Sequence, residues 1–317
     1  MEIKKKENNN YFLEIKDVDG AVNMDCYEVF DGIYLVYNDV DLLKCEDQNL
    51  IMEDVFGLEH CREGKVEWKL ENEDYAYLGA GSITPCDYSK SSRDFQFPLR
   101  HYKGMSLTFH LKKAQGSIPK EVPIDLSYIK ESLMKAGTIN LKNDVRASYV
   151  LGMVYEARTQ SLLHKKMAVL EFLLLLSEIE WDAMTQKPLY FPKPQVEKIK
   201  EIETFLCENL EKKYTLLDLS RQFSIPVTAI RKCFFGVFGD SVASYIRRKR
   251  MEKAKDFLAN SDQPIVEIAL QVGYDNPSKF SAAFRSYTNL SPNVYRSNIE
   301  NRSEQEKQCG VDGFFLK

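Results

Sequence analysis

Apolar and polar residues follow two different periods along this chain, and the change between them divides it into two parts. Through residues 11–115, aromatic and β-branched residues alternate with polar ones in short runs, and Gly, Asn and Asp separate the runs. Alternation with a period of two predicts half-buried strands. The clearest runs are Gly32–Tyr37, Lys65–Leu70, Asp74–Leu78 and Met105–His110. We therefore predict a β-rich first part, either a sandwich or a small barrel.

The pattern becomes helical over residues 120–185. Its longest apolar segment, Met167–Ile179, is apolar nearly all round, which predicts a helix buried on more than one face. Two partners for this helix stay open, namely its own sheet and the same helix in a second copy of the chain. The second partner would make the protein a homodimer.

A proline-rich stretch follows at 188–195. Pro188, Pro192 and Pro194 fall within seven residues, and prolines at this density do not fit a helix interior or a central strand. We predict an interdomain linker there. The expected organisation is a first domain at 1–187, a second domain at 196–299 and a polar tail at 300–317.

The second domain contains one helical unit twice, at 215–237 and 265–288, among about seven predicted short helices. In each unit, Ile230 and Phe234 or Phe280 and Phe284 anchor the second helix and leave its opposite face polar and basic. A short, exposed, basic helix of this kind fits the major groove of DNA. The predicted helix pairs are Leu216–Phe223 with Val227–Val237, and Ile265–Val272 with Pro277–Thr288.

Local signals mark the ends of these helices. Thr215 and Asp218 have the spacing of a capping box, and Ser241 can cap the helix that follows it. Asn276 precedes a proline that suits the first helical position, and Gly273 suits a helix stop. These signals predict helix-turn-helix boundaries independently of the apolar pattern.

The distribution of charge along the chain supports the division into two parts, although the net charge of the whole chain does not. The net charge of the whole chain is −4. Residues 195–300 carry 16 Lys and Arg against 13 Asp and Glu, while residues 1–194 carry 24 against 31. An acidic first part joined to a basic second part is typical of a protein in which one domain handles a polyanion.

The cysteines and the lengths of the apolar runs indicate the cellular compartment in which we expect the protein. The seven cysteines include no CxxC pair, so we expect reduced thiols in a cytoplasmic protein. The N-terminus has no apolar segment of the signal-peptide kind. The longest apolar run is Phe172–Leu176, too short to span a membrane.

An ordered set of residues between Val196 and Ser297 resembles the AraC/XylS family of transcriptional regulators. Residues that carry the resemblance are Gly239–Ser241, Tyr245–Arg247, Arg250, Ala254, Pro264–Ile265, Ile268–Ala269, Val272–Tyr274, Phe280, Phe284–Arg285 and Ser291–Arg296. The resemblance implies two recognition helices that enter successive major grooves about 34 Å apart. It implies base contacts from Thr228, Arg231, Lys232, Ser278, Lys279, Ser281 and Ala282. Arg231 suits guanine because its guanidinium can donate to O6 and N7 together.

Phosphate contacts are expected from Arg247, Arg250 and Arg285, although salt bridges inside the helical bundle are an alternative role for Arg247 and Arg250. Three positions depart from the family pattern. Pro226 stands where a serine cap is usual, Phe235 replaces a common basic residue, and Ala282 replaces a residue that is often polar.

For the first domain, the resemblance implies a cupin-like barrel that senses an effector. Trp68, Tyr75, Tyr77 and Tyr102 are candidate effector-binding residues, with plain core packing as the alternative that we favour. The four histidines, His60, His101, His110 and His164, form no HxH pair, so we expect no metal site and no other cofactor. His60 and His101 are expected to be structural.

We therefore predict an α+β protein, with a β-rich, cupin-like first domain carrying a helical appendage and an all-α second domain. Its predicted function is effector-responsive, sequence-specific regulation of transcription. Expected partners are double-stranded promoter or operator DNA, RNA polymerase, a small-molecule effector and a second copy of the chain. The alternatives are a ligand-binding protein-interaction module with a DNA-binding fold and a metal-dependent cupin enzyme. A DNA repair protein is disfavoured because Cys61 and Cys86 lack the motif of a reactive alkyl acceptor, and we expect no catalysis.

Overall fold

A computed structural model describes residues 2–6, 10–17, 20–45, 54–70, 72–87, 95–185, 189–299 and 301. The chain divides into two compact units at Lys193/Pro194, apart from residues 237–239, which are grouped with the first unit. The first unit is built on a sheet with helices, and the second is helical. This is the predicted α+β class.

The first unit contains an antiparallel sheet in which β1–β2–β3–β4–β10–β6–β7–β12 is the order of neighbouring strands. The strands are β1 Glu2–Lys6, β2 Asn10–Asp17, β3 Gly20–Phe30, β4 Ile33–Asp41, β5 Lys44–Cys45, β6 Val55–Lys69, β7 Tyr75–Gly79, β8 Ser82–Asp87, β9 Phe95–Gln96, β10 Tyr102–His110, β11 Ile139–Asn140 and β12 Leu189–Phe191. Strand β6 is the longest, and it pairs with β8 along its first half and with β7 along its second. All four predicted strand runs lie in the observed strands or overlap them.

Alternation along β4 and β10 explains the main core. Leu35 and Tyr37 on β4 face the same layer as Leu107 and Phe109 on β10, to which β4 is paired. These side chains are buried against the helices of the first unit. Burial of one such side chain stabilises the fold by about 1.5–3 kcal/mol, so this layer fixes the position of the helices on the sheet.

The helices of this unit follow the sheet in the chain. They are α1 Leu111–Ala114, α2 Leu126–Ala136, α3 Val145–Glu156, α4 Leu162–Glu178 and α5 Trp181–Met184, with a 3₁₀ turn at Ala157–Thr159. Helix α4 contains most of the segment predicted to be buried on more than one face. Its Val169, Phe172, Leu173 and Leu176 are buried in the main core, whereas Met167 is exposed.

A second core lies in the other part of the sheet. It includes Val40, Cys61, Trp68, Phe97 and Tyr102. The unit therefore has a β-rich part followed by a helical part. Strand β1 precedes the predicted β-rich segment 11–115, α1 lies inside that segment, and β11 lies inside the predicted helical segment 120–185.

The second unit consists of short helices. They are α6 Lys193–Glu208, α7 Leu216–Phe223, α8 Val227–Phe238, α9 Val242–Asn260, α10 Ile265–Gln271 and α11 Pro277–Thr288, and residues 292–299 form a further helix, α12. The helices of both predicted pairs match the observed ones to within one residue at each end.

The stretch 188–195, for which the sequence predicts a linker, contains structured residues. Leu189–Phe191 pairs with Tyr75–Tyr77 of β7, and α6 begins at Lys193. Pro194 occupies the first turn of that helix, where its missing N–H has no intrahelical acceptor to lose. Pro188 and most of the tail at 300–317 lie outside the described residues. No helix among those that the structure describes is long and apolar enough to cross a membrane.

Candidate nucleic-acid interface

Side-chain caps mark the start of one helix in each helix-turn-helix motif, α7 in the first and α11 in the second. At the start of α7, Asp218 N donates to Thr215 Oγ1 and Thr215 N donates to Asp218 Oδ2, which is the predicted capping box. At the start of α11, Asn276 Oδ1 accepts from the backbone N–H groups of Ser278 and Lys279 at 2.8 and 3.2 Å. Each cap satisfies N–H groups that have no partner within the helix.

The second helix of the first motif, α8, has one buried face and one exposed face. Ile230, Cys233 and Phe234 are buried. The predicted base-contacting residues of α8 are all exposed: Thr228, Arg231 and Lys232. They lie on one face because residues three and four apart are neighbours on a helix surface.

Helix α11 repeats this arrangement in the second motif. Phe280 and Phe284 are fully buried, with their ring centroids 5.8 Å apart. The predicted base-contacting residues are exposed at Ser278, Lys279 and Ala282 and half-buried at Ser281. Both second helices thus present their predicted side chains outward, and each is held by aromatic anchors on its other side.

Helix α9 is shared by the two motifs. In its first half, Tyr245 packs edge-on against Phe234 and donates from its hydroxyl to Glu203 Oε1 at 2.8 Å. Burial and this carboxylate raise the pKa of Tyr245 well above its usual range. In its second half, Met251, Ala254 and Leu258 are buried in the core of the second motif.

The predicted phosphate contacts have different surroundings. Arg247 and Arg285 are exposed. Arg250 is half-buried, and its guanidinium donates to the carbonyls of Lys212 at 2.8 Å and Gly273 at 3.4 Å. Burial lowers its pKa from the usual value. Because both terminal nitrogens of its guanidinium donate to backbone carbonyls, Arg250 connects two turns of the unit and is not free on the surface, as a phosphate contact would be.

A cleft of about 770 Å³ lies between the two motifs, entirely within the second unit. Residues of both second helices line it, with Arg231 from α8 and Lys279 from α11. Its charged lining residues are six basic ones and a single acidic one: Lys212, Lys213, Arg231, Arg247, Arg250, Lys279 and Asp275. Of the predicted base-contacting residues, one from each helix lines this basic concavity, and the other five do not. A basic concavity favours a polyanion.

Sequence reasoning missed several residues of this cleft. Lys212 and Lys213 lie in the turn before α7, and Phe235 on α8 is 57% exposed. The two lysines directly precede the predicted capping box, and that position is the only signal that could have pointed to them. Phe235 stands where the family commonly has a basic residue, and its ring lies in the cleft wall.

The candidate effector-binding residues of the first unit pack into the protein interior and do not line a ligand pocket. Trp68 and Tyr102 are buried in the second core, and Tyr77 is buried with its hydroxyl donating to Glu67 Oε2 at 2.5 Å. Tyr75 is half-buried. Alternating aromatic residues on these strands fill the core of the sheet, so we assign no effector site to them.

The histidines also lack the arrangement of a metal site. His60 is buried, hydrogen-bonds through Nδ1 to the Tyr155 hydroxyl at 2.7 Å, and has its pKa lowered to about 4, chiefly by burial. His101 is half-buried, with Nε2 3.3 Å from Glu63 Oε2. Within the part of the chain that the structure describes, no group of three or more His, Cys, Asp or Glu residues is arranged to hold a metal ion.

Comparisons with known proteins concern mainly this second unit. A family model described as a helix-turn-helix domain matches residues 219–298. The uncharacterised HTH-type transcriptional regulator YdiP of Escherichia coli is 35% identical over 109 residues, which are 34% of this chain and 36% of that protein. These matches confirm the resemblance of the second unit to the AraC/XylS family over the matched residues. The resemblance agrees with the paired motifs and the shared helix α9 described above.

Other relatives differ in how much they cover. The uncharacterised HTH-type transcriptional regulator YisR of Bacillus subtilis is 23% identical over 78% of this chain and 84% of its own length. A solved C-terminal domain of the two-component response regulator YesN from Fusobacterium nucleatum is 31% identical, covering 31% of this chain and 95% of that one, with a TM-score of 0.29. The matched segment spans only about a third of the first three curated relatives, 36%, 37% and 35% of their lengths.

Proposed function

We propose that this protein is a transcriptional regulator that binds double-stranded DNA in a sequence-specific manner, acting in the cytoplasm. The observation that carries the proposal is the basic cleft that Arg231 of α8 and Lys279 of α11 both line. Two exposed helices beside one basic concavity suit two successive major grooves on one face of a duplex.

The chemistry of the exposed side chains supports base recognition. Arg231 can donate two hydrogen bonds to guanine, whereas Lys232 and Lys279 can donate to guanine or to phosphate. Ser278 can either donate or accept, and Ala282 offers only a methyl group. We therefore expect α8 to contribute more to sequence preference than α11 does.

Backbone contacts position a protein on DNA without selecting a sequence. Arg247 and Arg285 are exposed and suit this role. Lys212 and Lys213 join them as candidates because they line the cleft from the turn before α7. Arg250 is withdrawn from this group because its donors are engaged inside the unit.

Selection of bound duplexes from a random DNA library by the full chain tests the proposal. We expect enrichment of a two-part site for each bound chain, with its parts about 10 base pairs apart, centre to centre. The double variant Arg231→Ala, Lys279→Ala should enrich no such site, and Lys253→Ala, a charge on α9 outside the cleft, should enrich the same site as the wild type. Failure of the wild-type chain to enrich any sequence would overturn the proposal.

We also propose that the chain forms a homodimer through α3 and α4. These neighbouring helices expose four apolar side chains, in two pairs one helical turn apart: Val145 85%, Tyr149 70%, Leu163 65% and Met167 58%. Exposed apolar side chains on neighbouring helices are typical of an interaction surface. We propose a second copy as the occupant because the two chains of a symmetric dimer present the same surface to each other.

Light scattering after gel filtration tests this association. Wild-type chain is expected to have twice the mass of one chain, and Tyr149→Glu should have the mass of a monomer. Tyr128→Glu on α2, where the ring is 44% exposed, is the matched control and should leave the mass unchanged. A wild-type chain that stays monomeric at micromolar concentration would refute the dimer.

We propose two further partners. A small-molecule effector binds the first unit, and RNA polymerase contacts the DNA-bound protein. Thermal-shift measurements on the full chain with metabolites test the effector. An increase in melting temperature with one class of compound supports it, and the absence of any shift across a physiological set counts against it.

A further inference from the structure

Two separate cores hold the two DNA-binding motifs, and α9 is the element that joins them. The first half of α9 contacts the first motif through Tyr245, whose ring packs on Phe234. Its second half contributes to the core around Phe280 and Phe284. The angle between the motifs therefore depends on contacts made where the two halves meet.

Arg250 lies at this meeting point. Its Nη2 donates at 2.8 Å to the carbonyl of Lys212, which belongs to the turn between α6 and α7. Its Nη1 donates at 3.4 Å to the carbonyl of Gly273, in the turn of the second motif. The guanidinium of Arg250 thus connects the turn before the first motif to the turn within the second motif.

Two further features lie at this boundary between the two motifs, which we call the seam and which is formed by Arg250 and the turns that contain Lys212 and Gly273. Gly273 has φ +80°, and a Cβ there would lie 2.5 Å from the Leu210 carbonyl oxygen and 2.7 Å from Arg250 Cζ. Backbone of the two halves can approach this closely only because the residue is glycine. Beside it, Lys213 and Asp275 form an ion pair between the two turns.

We propose that Arg250 is a positioning residue that sets the distance between the two recognition helices, and thereby the spacing between the two parts of the DNA site that the protein accepts. The inference rests on the proposed function. Arg250 would then select the spacing of the DNA site. The exposed ion pair of Lys213 with Asp275 is a second contact across the seam.

Small rotations at the seam have large consequences for spacing. For helices about 34 Å apart, a rotation of about 10° about a point midway between them moves one helix by roughly 3 Å. That displacement is close to the rise of one base pair, about 3.4 Å. A rigid seam therefore rejects a site that is longer or shorter by one base pair, whereas a loosened seam tolerates it.

The first experiment measures affinity for a selected two-part site and for versions with one base pair inserted or deleted between the parts. We expect wild type to lose about 30-fold on either change and Arg250→Ala to lose only about 3-fold, with Asp275→Asn between them. Lys253→Ala, a matched charge removal on the same helix, should keep the wild-type ratio. A folded Arg250→Ala variant with the wild-type ratio would overturn the proposal, because uniform weakening is what a merely structural or phosphate-contacting residue produces.

The second experiment needs no DNA, so it separates this proposal from the proposed function. Spin labels are introduced through noncanonical amino acids at positions 232 and 282, both exposed, and the distance between them is measured in the full chain. We expect a narrow distribution in wild type and one about twice as wide in Arg250→Ala. If that variant does not fold, Arg250→Lys and Asp275→Asn carry both measurements, and unchanged widths and spacing ratios in these folded variants overturn the proposal. If selection enriches no DNA sequence, the function fails while the distance measurement still decides the role of the seam.

Discussion

Truncation of Arg231 isolates the contribution of one predicted base contact. Arg231 is exposed on α8, so Arg231→Ala should change the free energy of unfolding by no more than about 0.5 kcal/mol. Loss of a bidentate guanine contact costs about 1–3 kcal/mol of binding free energy, which corresponds to roughly 5- to 150-fold lower affinity for the selected site. Affinity for scrambled DNA should change far less, because only a sequence-specific contact is removed.

Fluorescence anisotropy at a series of salt concentrations measures these affinities. A chemical substitution on the DNA sharpens the assay, since 7-deazaguanine lacks the N7 acceptor that a bidentate arginine uses. Wild type should lose affinity when one guanine is replaced in this way, and Arg231→Ala should be insensitive to the same replacement. Equal losses of Arg231→Ala on selected and scrambled DNA, with no insensitive position, would refute the assignment of Arg231 as a base contact.

Three further predictions concern stability. Neutral His60 is favoured in the folded protein, where its pKa is lowered to about 4, so stability should be complete above pH 6.5 and should fall by up to about 3 kcal/mol towards pH 4; chemical unfolding of His60→Gln, which cannot titrate, should show a smaller loss, and identical pH profiles would contradict this. Gly273→Ala should destabilise by about 2 kcal/mol or more because of the positive φ and the close carbonyl, whereas Gly152→Ala in an α3 position with nothing within 4 Å should stabilise slightly; calorimetry distinguishes them, and a harmless Gly273→Ala would be the contrary result. Asn276→Ala removes the cap of α11 and should cost about 1 kcal/mol in thermal unfolding, while Asn276→Asp should retain the cap; equal losses in both would exclude a capping role.

Helix positions in the second unit were predictable because their signals are local. The capping box at Thr215 and the Asn–Pro start of α11 involve residues within three positions of one another. The buried anchors repeat at helical spacing, so the exposed face of each second helix followed from the same pattern. These features need no knowledge of how the helices pack.

The role of Arg250 could not be predicted in the same way. Its acceptors are 38 and 23 residues away in the chain, and a charged residue in a basic run has the same sequence pattern whether it faces solvent or a carbonyl. Likewise, an alternating aromatic such as Trp68 fits a core and a ligand pocket equally well. In each case the deciding contacts are made by segments distant in sequence.

The ends of elements in the first unit were also harder to predict. Strand β1 is formed by Glu2–Lys6, whose consecutive lysines show no alternation, and it is held by pairing with β2. The segment 189–191 becomes a strand through its pairing with β7 despite the prolines around it. Pairing across the sheet, which the local pattern does not encode, determines both.

Hydroxyl-radical footprinting of the full chain on a selected site tests the central claim most directly. For each bound chain, two exposed helices bordering one basic cleft predict two protected patches on one face of the duplex, separated by about one helical turn of 10–10.5 base pairs. A single protected patch, or two patches on opposite faces of the duplex, would contradict this account.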